Sequence, residues 1–176
     1  MNTSLNSSKL QNLFSANEIQ QRVQELGITI SRDYAQNELH LIGVLKGAFI
    51  FLADLVRSLT IPCFIHFLHA SSYGSQLVSS GEVRIAHSLN VKDKHILVVD
   101  DILDTGLTLK KIIQELQKQK PASLKICTLL DKPIRRKVDL EAQYLGFTIP
   151  DKFVVGYGLD YDDHGRNLRH IYQLAE

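Results

Sequence analysis

Residues 95–111 read "HILVVDDILDTGLTLKK". The apolar run from Ile96 to Val99 has strand character, and Leu109, Ile112, Ile113 and Leu116 recur at the helical spacing until Pro121 stops them. Between strand and helix stand Asp100, Asp101 and Asp104, followed by Thr105, Gly106, Leu107 and Thr108. Adjacent carboxylates repel, so this strand end suits a cation or a hydroxyl-rich ligand. The helix start leaves backbone N–H groups unpaired, Gly106 lets a ligand approach the backbone, and both threonines carry hydroxyl donors. Two readings stay open on these residues alone: a solvated Asp turn that caps a helix, or a cradle for an anion. A sugar phosphate reconciles acids and cradle, because carboxylates accept from ribose hydroxyls or hold a metal's water shell while the loop takes the phosphate.

Working outward, Ser15 to Glu18 forms a capping box, with Ile19, Val23 and Leu26 behind it and an expected stop at Gly27. Residues 38–45 have the length and apolar density of a buried strand, 47–59 of a helix, and 63–70 and 124–130 of further strands. Strands alternating with helices imply an α/β fold: an open, mainly parallel twisted sheet with flanking helices, whose ligands bind at the carboxyl ends of the strands. The Ser/Gly-rich residues 71–82 form a long loop, a candidate lid. The pieces at 143–147 and 152–158 lack intervening helices and suggest a small appended subregion. The expectation is a single domain over residues 1–176, with a core at about 38–142 and a hood from about 1–37 and 143–176.

Composition narrows the function. With 44% hydrophobic and 22% charged residues the chain can bury a core, and 20 basic against 19 acidic residues leave a formal net charge of +1. Such balance advertises neither nucleic acid nor an anionic membrane. Cys63 and Cys127 sit in separate apolar runs, as reduced buried thiols do, and no apolar stretch reaches the length of a membrane span, so a cytoplasmic protein is expected. The phosphate-loop and dinucleotide glycine motifs are absent. A phosphoacceptor receiver domain places its acidic pair near the N-terminus, whereas this pair lies past the middle. His66 and His69, an H-x-x-H on a strand, point to opposite faces and cannot share one ion.

"VVDDILDTGLTL" resembles the phosphoribosyl pyrophosphate (PRPP) motif of type I phosphoribosyltransferases. "GVLKGAF", "SSYGS", "LLDKP" and "IPDKFVVGYGLDY" follow in the order of the hypoxanthine-guanine branch of that family. The resemblance implies a Mg2+-dependent purine salvage transferase that joins PRPP to a 6-oxopurine, hypoxanthine and/or guanine, and releases pyrophosphate. It further implies a homo-oligomer, dimer or tetramer, with no nucleic-acid or membrane partner. By that likeness Asp104 is the catalytic acid/base, and Asp100, Asp101, Thr105, Gly106, Leu107 and Thr108 hold ribose and its phosphate. Leu45, Lys46, Gly47 and Arg166 take the pyrophosphate, and Lys132, Lys152, Phe153, Val154 and Asp160 take the purine. Asp100, Asp101 and Asp160 serve the metal, directly or through water, and Ser72 and Tyr73 form the lid. Asp100 stands where the family commonly has glutamate, and Leu107 where relatives carry polar or basic side chains. Rival readings are a PRPP-sensing regulator that binds nucleic acid, which needs a basic face, and a transferase for xanthine or uracil.

Overall fold

A computed structural model describes residues 10–69 and 89–175; Ser72 and Tyr73 lie outside these residues. Five strands form one parallel sheet: β2 (Leu39–Leu45), β3 (Cys63–His69), β4 (His95–Leu103), β5 (Ser123–Asp131) and β6 (Tyr144–Thr148), in the order β3-β2-β4-β5-β6. Helices α1 (Ala16–Asp33) and α2 (Phe49–Ser58) cover one face, and α3 (Leu107–Lys118) covers the other. The alternation along β4 explains both layers: Leu97 and Val99 join the core under α1 and α2, and Ile96 and Val98 the core under α3.

The expected sheet is present, with three differences. Gly27 does not end α1, which continues to Asp33. A Cβ there would lie 2.6 Å from the Ser58 carbonyl oxygen, so this glycine marks the close crossing of α1 over the end of α2. Neither α1 nor residues 143–147 belong to the hood: α1 packs on the main sheet beside α2, and β6 pairs in parallel with β5, from Cys127 opposite Tyr144 to Asp131 opposite Thr148. The hood itself is a three-stranded antiparallel sheet, β1-β8-β7, made of β1 (Leu10–Phe14), β7 (Val154–Val155) and β8 (Ile171–Leu174). The Phe14 ring stacks on Phe147 at 4.1 Å between centroids, and the Tyr157 hydroxyl donates to Asp54 Oδ2 at 2.7 Å, so the hood is fastened to β6 and α2.

Chain order reverses between β2 and β4: β3 lies to one side of this pair, β5 and β6 to the other. In open parallel sheets the crevice at such a reversal, beyond the carboxyl ends of the strands, is where ligands sit. Here the chain leaves β2 through Lys46 and Gly47, and β4 closes with the acidic residues of the opening motif.

Candidate active site

Asp100 and Asp101 are the sixth and seventh residues of β4, so the acids ride on the strand and not in the turn beyond it. Both are half-buried. Asp100 Oδ1 accepts from the Asp101 N–H at 3.0 Å, and Asp101 Oδ1 from the Ile102 N–H at 2.9 Å. Lost hydration, then the charge of Asp101, pushes the Asp100 carboxyl well above the usual carboxylate range. Lost hydration raises Asp101 too, opposed by hydrogen bonds from Asp100 and backbone N–H groups and by the charge of Arg166. A Cβ on Gly47 would fall 1.7 Å from Asp101 Oδ2, so only glycine lets the turn after β2 lie on this carboxyl.

Two cations converge on that turn. Lys46 Nζ lies 3.1 Å from Asp163 Oδ1, and Arg166 Nη2 lies 2.6 Å from Asp160 Oδ1 and 3.0 Å from Asp163 Oδ1. Arg166 Nη1 also donates to the Gly158 carbonyl at 2.9 Å. Lys46 and Arg166 are thus brought together across 120 positions of sequence, both held on Asp163, a residue the sequence reading passed over. The Leu45–Lys46 peptide is cis.

Beyond β4, Asp104 and Thr105 form a bend, and Gly106, at φ 77°, precedes the first turn of α3. A side chain there would be strained by the dihedral and would meet Val138 at 2.8 Å. Gly106 offers no side-chain cap, and the Leu107 N–H makes only a long 3.5 Å bond to Thr105 Oγ1, so the helix start presents backbone donors beside the half-buried Thr105 and Thr108 while Leu107 stands exposed. Arg136 braces this loop. Its guanidinium donates to the carbonyls of Asp104 (3.0 Å) and Leu103 (3.2 Å), and it contacts the Asp131 carboxylate and the Leu140 carbonyl. The Lys137 N–H adds a bond to the Thr105 carbonyl at 3.0 Å.

Lys132 follows β5, its N–H bonded to the Leu103 carbonyl at 3.0 Å, and is 7% exposed. Burial pushes its ammonium below the usual lysine range, opposed by the nearby charges of Asp104 and Asp151. Lys152 is half-buried, Val154 is buried in register with Gln173, and the Phe153 ring is 48% exposed with its edge packed on Tyr161 at 5.4 Å. A buried lysine, an acid and an exposed aromatic ring on the segments around a phosphate-type loop are the groups that suit a planar, oxygen-bearing heterocycle.

Residues 10–162 match the model of the phosphoribosyl transferase domain. This chain belongs to the phosphoribosyltransferase family. It is 48% identical over 171 residues to the hypoxanthine-guanine phosphoribosyltransferase of Aquifex aeolicus, covering 96% of each chain. It is 46% identical over 164 residues to the hypoxanthine phosphoribosyltransferase of Haemophilus influenzae, covering 90% of this chain and 92% of that one. A crystal structure of a hypoxanthine phosphoribosyltransferase from Staphylococcus aureus superposes with a TM-score of 0.89 at 43% identity, covering 99% of this chain and 96% of the other.

Within this phosphoribosyltransferase the sequence motifs miss what lies between them. Arg135, Arg136 and Lys137 resemble a solvated basic run, yet the Arg136 side chain is only 15% exposed. Its strand-end carbonyl partners carry no sequence signal. Of the H-x-x-H pair, His66 Nε2 lies 3.1 Å from His40 Nδ1, a contact created by the pairing of β2 with β3, and His40 Nε2 lies 2.9 Å from Glu38 Oε1.

Proposed function

We propose that this chain transfers the 5-phosphoribosyl group of PRPP to a 6-oxopurine, hypoxanthine and/or guanine, in purine salvage. The reading rests on one observation above all: the acids of β4, the Lys46–Gly47 turn and Arg166 meet at the sheet's reversal point, on the strand that leads to Asp104 and its neighbour Lys132.

In this proposal the donors of Thr105 to Thr108 grip the ribose phosphate, and Asp100 and Asp101 face the ribose hydroxyls. Lys46, the Leu45–Gly47 backbone and Arg166 receive the pyrophosphate, exchanging their bonds to Asp160 and Asp163 for its oxygens. The purine stacks on Phe153, Lys132 donates to the 6-oxygen, and the backbone from Lys152 to Val154 reads the adjoining edge. The C1′–oxygen bond to pyrophosphate breaks as the bond from C1′ to the ring nitrogen forms, through an oxocarbenium-like cation that nearby carboxylates stabilise. The imidazole of the base must lose one N–H proton in this exchange, and Asp104 accepts it. Positioned proton transfer of this kind contributes about 10²- to 10⁴-fold in rate.

The donor set fits Mg2+. Hard carboxylate oxygens of Asp100, Asp101 and Asp160 line the site, and the raised pair on β4 would be relieved by a cation. Among the described residues no group of three or more side chains forms a metal cage, which suits an ion that keeps waters and substrate oxygens. Bound there, it would supply charge neutralisation to the departing pyrophosphate. Free Cys63 and Cys127 support a reducing, cytoplasmic setting, and no helix among the described residues is long and apolar enough to cross a membrane. The exposed Phe64, Ile65 and Phe67 on β3, the edge strand among the described residues, favour a homo-oligomer.

The test is pyrophosphate release from PRPP and Mg2+ with hypoxanthine, guanine, xanthine, adenine and uracil in parallel. Turnover with hypoxanthine or guanine, and none with adenine or uracil, is expected; turnover with uracil or adenine alone would overturn the reading.

A further inference from the structure

Arg135 stands between two acids from different loops, both of which also act on Lys132. Its Nε lies 3.0 Å from Asp104 Oδ1, and its Nη1 lies 3.6 Å from Asp151 Oδ1. The Asp104 side chain is 36% exposed overall, yet its Oδ1 is cut off from solvent and accepts no hydrogen bond. The guanidinium therefore holds that oxygen by charge, with the N–H not aimed along the contact, and the exposed part of the carboxylate lies elsewhere. Lys132 feels the same two acids and the charge of Arg135. Arg135 and Lys132 thus share the charges of Asp104 and Asp151.

Resting on the function proposed above, we infer that Arg135 is a positioning residue for the proton transfer. It pins Oδ1 of Asp104, turning Oδ2 toward the imidazole edge of the purine, and its contact with Asp151 ties that alignment to the loop carrying Phe153. The side chain is 46% exposed, and exposed ion pairs contribute little to stability, so its effect falls on geometry and not on folding. The phosphate cradle is backbone braced by Arg136, so PRPP binding does not depend on Arg135.

The experiment is a double-mutant cycle of Arg135→Gln and Asp104→Asn, with Arg135→Lys as the conservative variant. It reads kcat/KM for hypoxanthine at saturating PRPP, KM for PRPP, and Tm. Arg135→Gln should lower kcat/KM for hypoxanthine about tenfold, with Tm and the KM for PRPP unchanged, and should cost nothing further when Asp104 is already asparagine. Arg135→Lys should recover part of the loss. An equal loss in both backgrounds, or wild-type values for Arg135→Gln, would overturn this inference alone. Wild-type turnover in Asp104→Asn would overturn the role of Asp104 and the inference with it.

Discussion

Asp100 illustrates a residue kept at a cost to the fold. Its carboxyl is raised by lost hydration and by Asp101, so the folded state favours its protonated form more than the unfolded chain does. Between the ordinary aspartate value of about 3.9 and the raised one, stability therefore falls as pH rises, and the full cost is present above the raised value. Asp100→Asn preserves an acceptor for the Asp101 N–H and removes the charge. It should raise Tm at neutral pH by about 2–4 °C, the response to ~1 kcal/mol in a chain of this size, while lowering kcat/KM for PRPP; thermal denaturation beside steady-state kinetics would check both. Lys132 carries the opposite shift. Because burial lowers its ammonium, donation to the 6-oxygen should fail at a pH below the ordinary lysine range of about 10.4. A pH profile of kcat/KM for hypoxanthine should show this alkaline limb, and Lys132→Gln should lower the plateau and abolish the limb.

At the level of elements, glycines decide where loops and helices meet. Gly47→Ala would drive a methyl into the Asp101 carboxyl and push the β2 turn away from β4, so the KM for PRPP should rise at least about tenfold with a smaller change in Tm. Gly27→Ala would gain about 1 kcal/mol in helix propensity, but its methyl meets the rigid Ser58 backbone, and overpacking costs about 1–3 kcal/mol. Urea unfolding should show a net loss of stability. The sequence pattern shows Gly27 only as a helix terminator, because its reason for being there lies on α2, 31 positions away. In contrast, the β2-α2-β3 and β4-α3-β5 units were legible: each announces itself through local periodicity, and Asp104, the threonines and Gly106 fall at the joint those periods define, although Asp100 and Asp101 ride on the longer strand.

For the whole molecule, what stayed hidden was what long-range pairing makes. Strands β1 and β8 are short and polar in part, and exist because Leu10 pairs with Leu174 and Asn12 with Tyr172. Neither segment has an alternation long enough to stand out. Strand β6 reads like its hood neighbours until β5 supplies its partner. The candidate site divides the same way. Residues inside motifs could be picked out by order and spacing, whereas Arg135, Arg136 and Asp163 owe their places to contacts between motifs. On the proposed function the pyrophosphate and the purine are held by different groups around one acidic strand end, and a nucleoside monophosphate product should span the purine groups and the phosphate loop. A crystal structure with inosine or guanosine monophosphate bears on this most directly. The phosphate is expected on the backbone donors of residues 104–108, the ribose hydroxyls toward Asp100 and Asp101, and the base against Phe153 with its 6-oxygen on Lys132. A nucleotide bound with its phosphate away from the start of α3, or its base away from Phe153, would contradict the assignment.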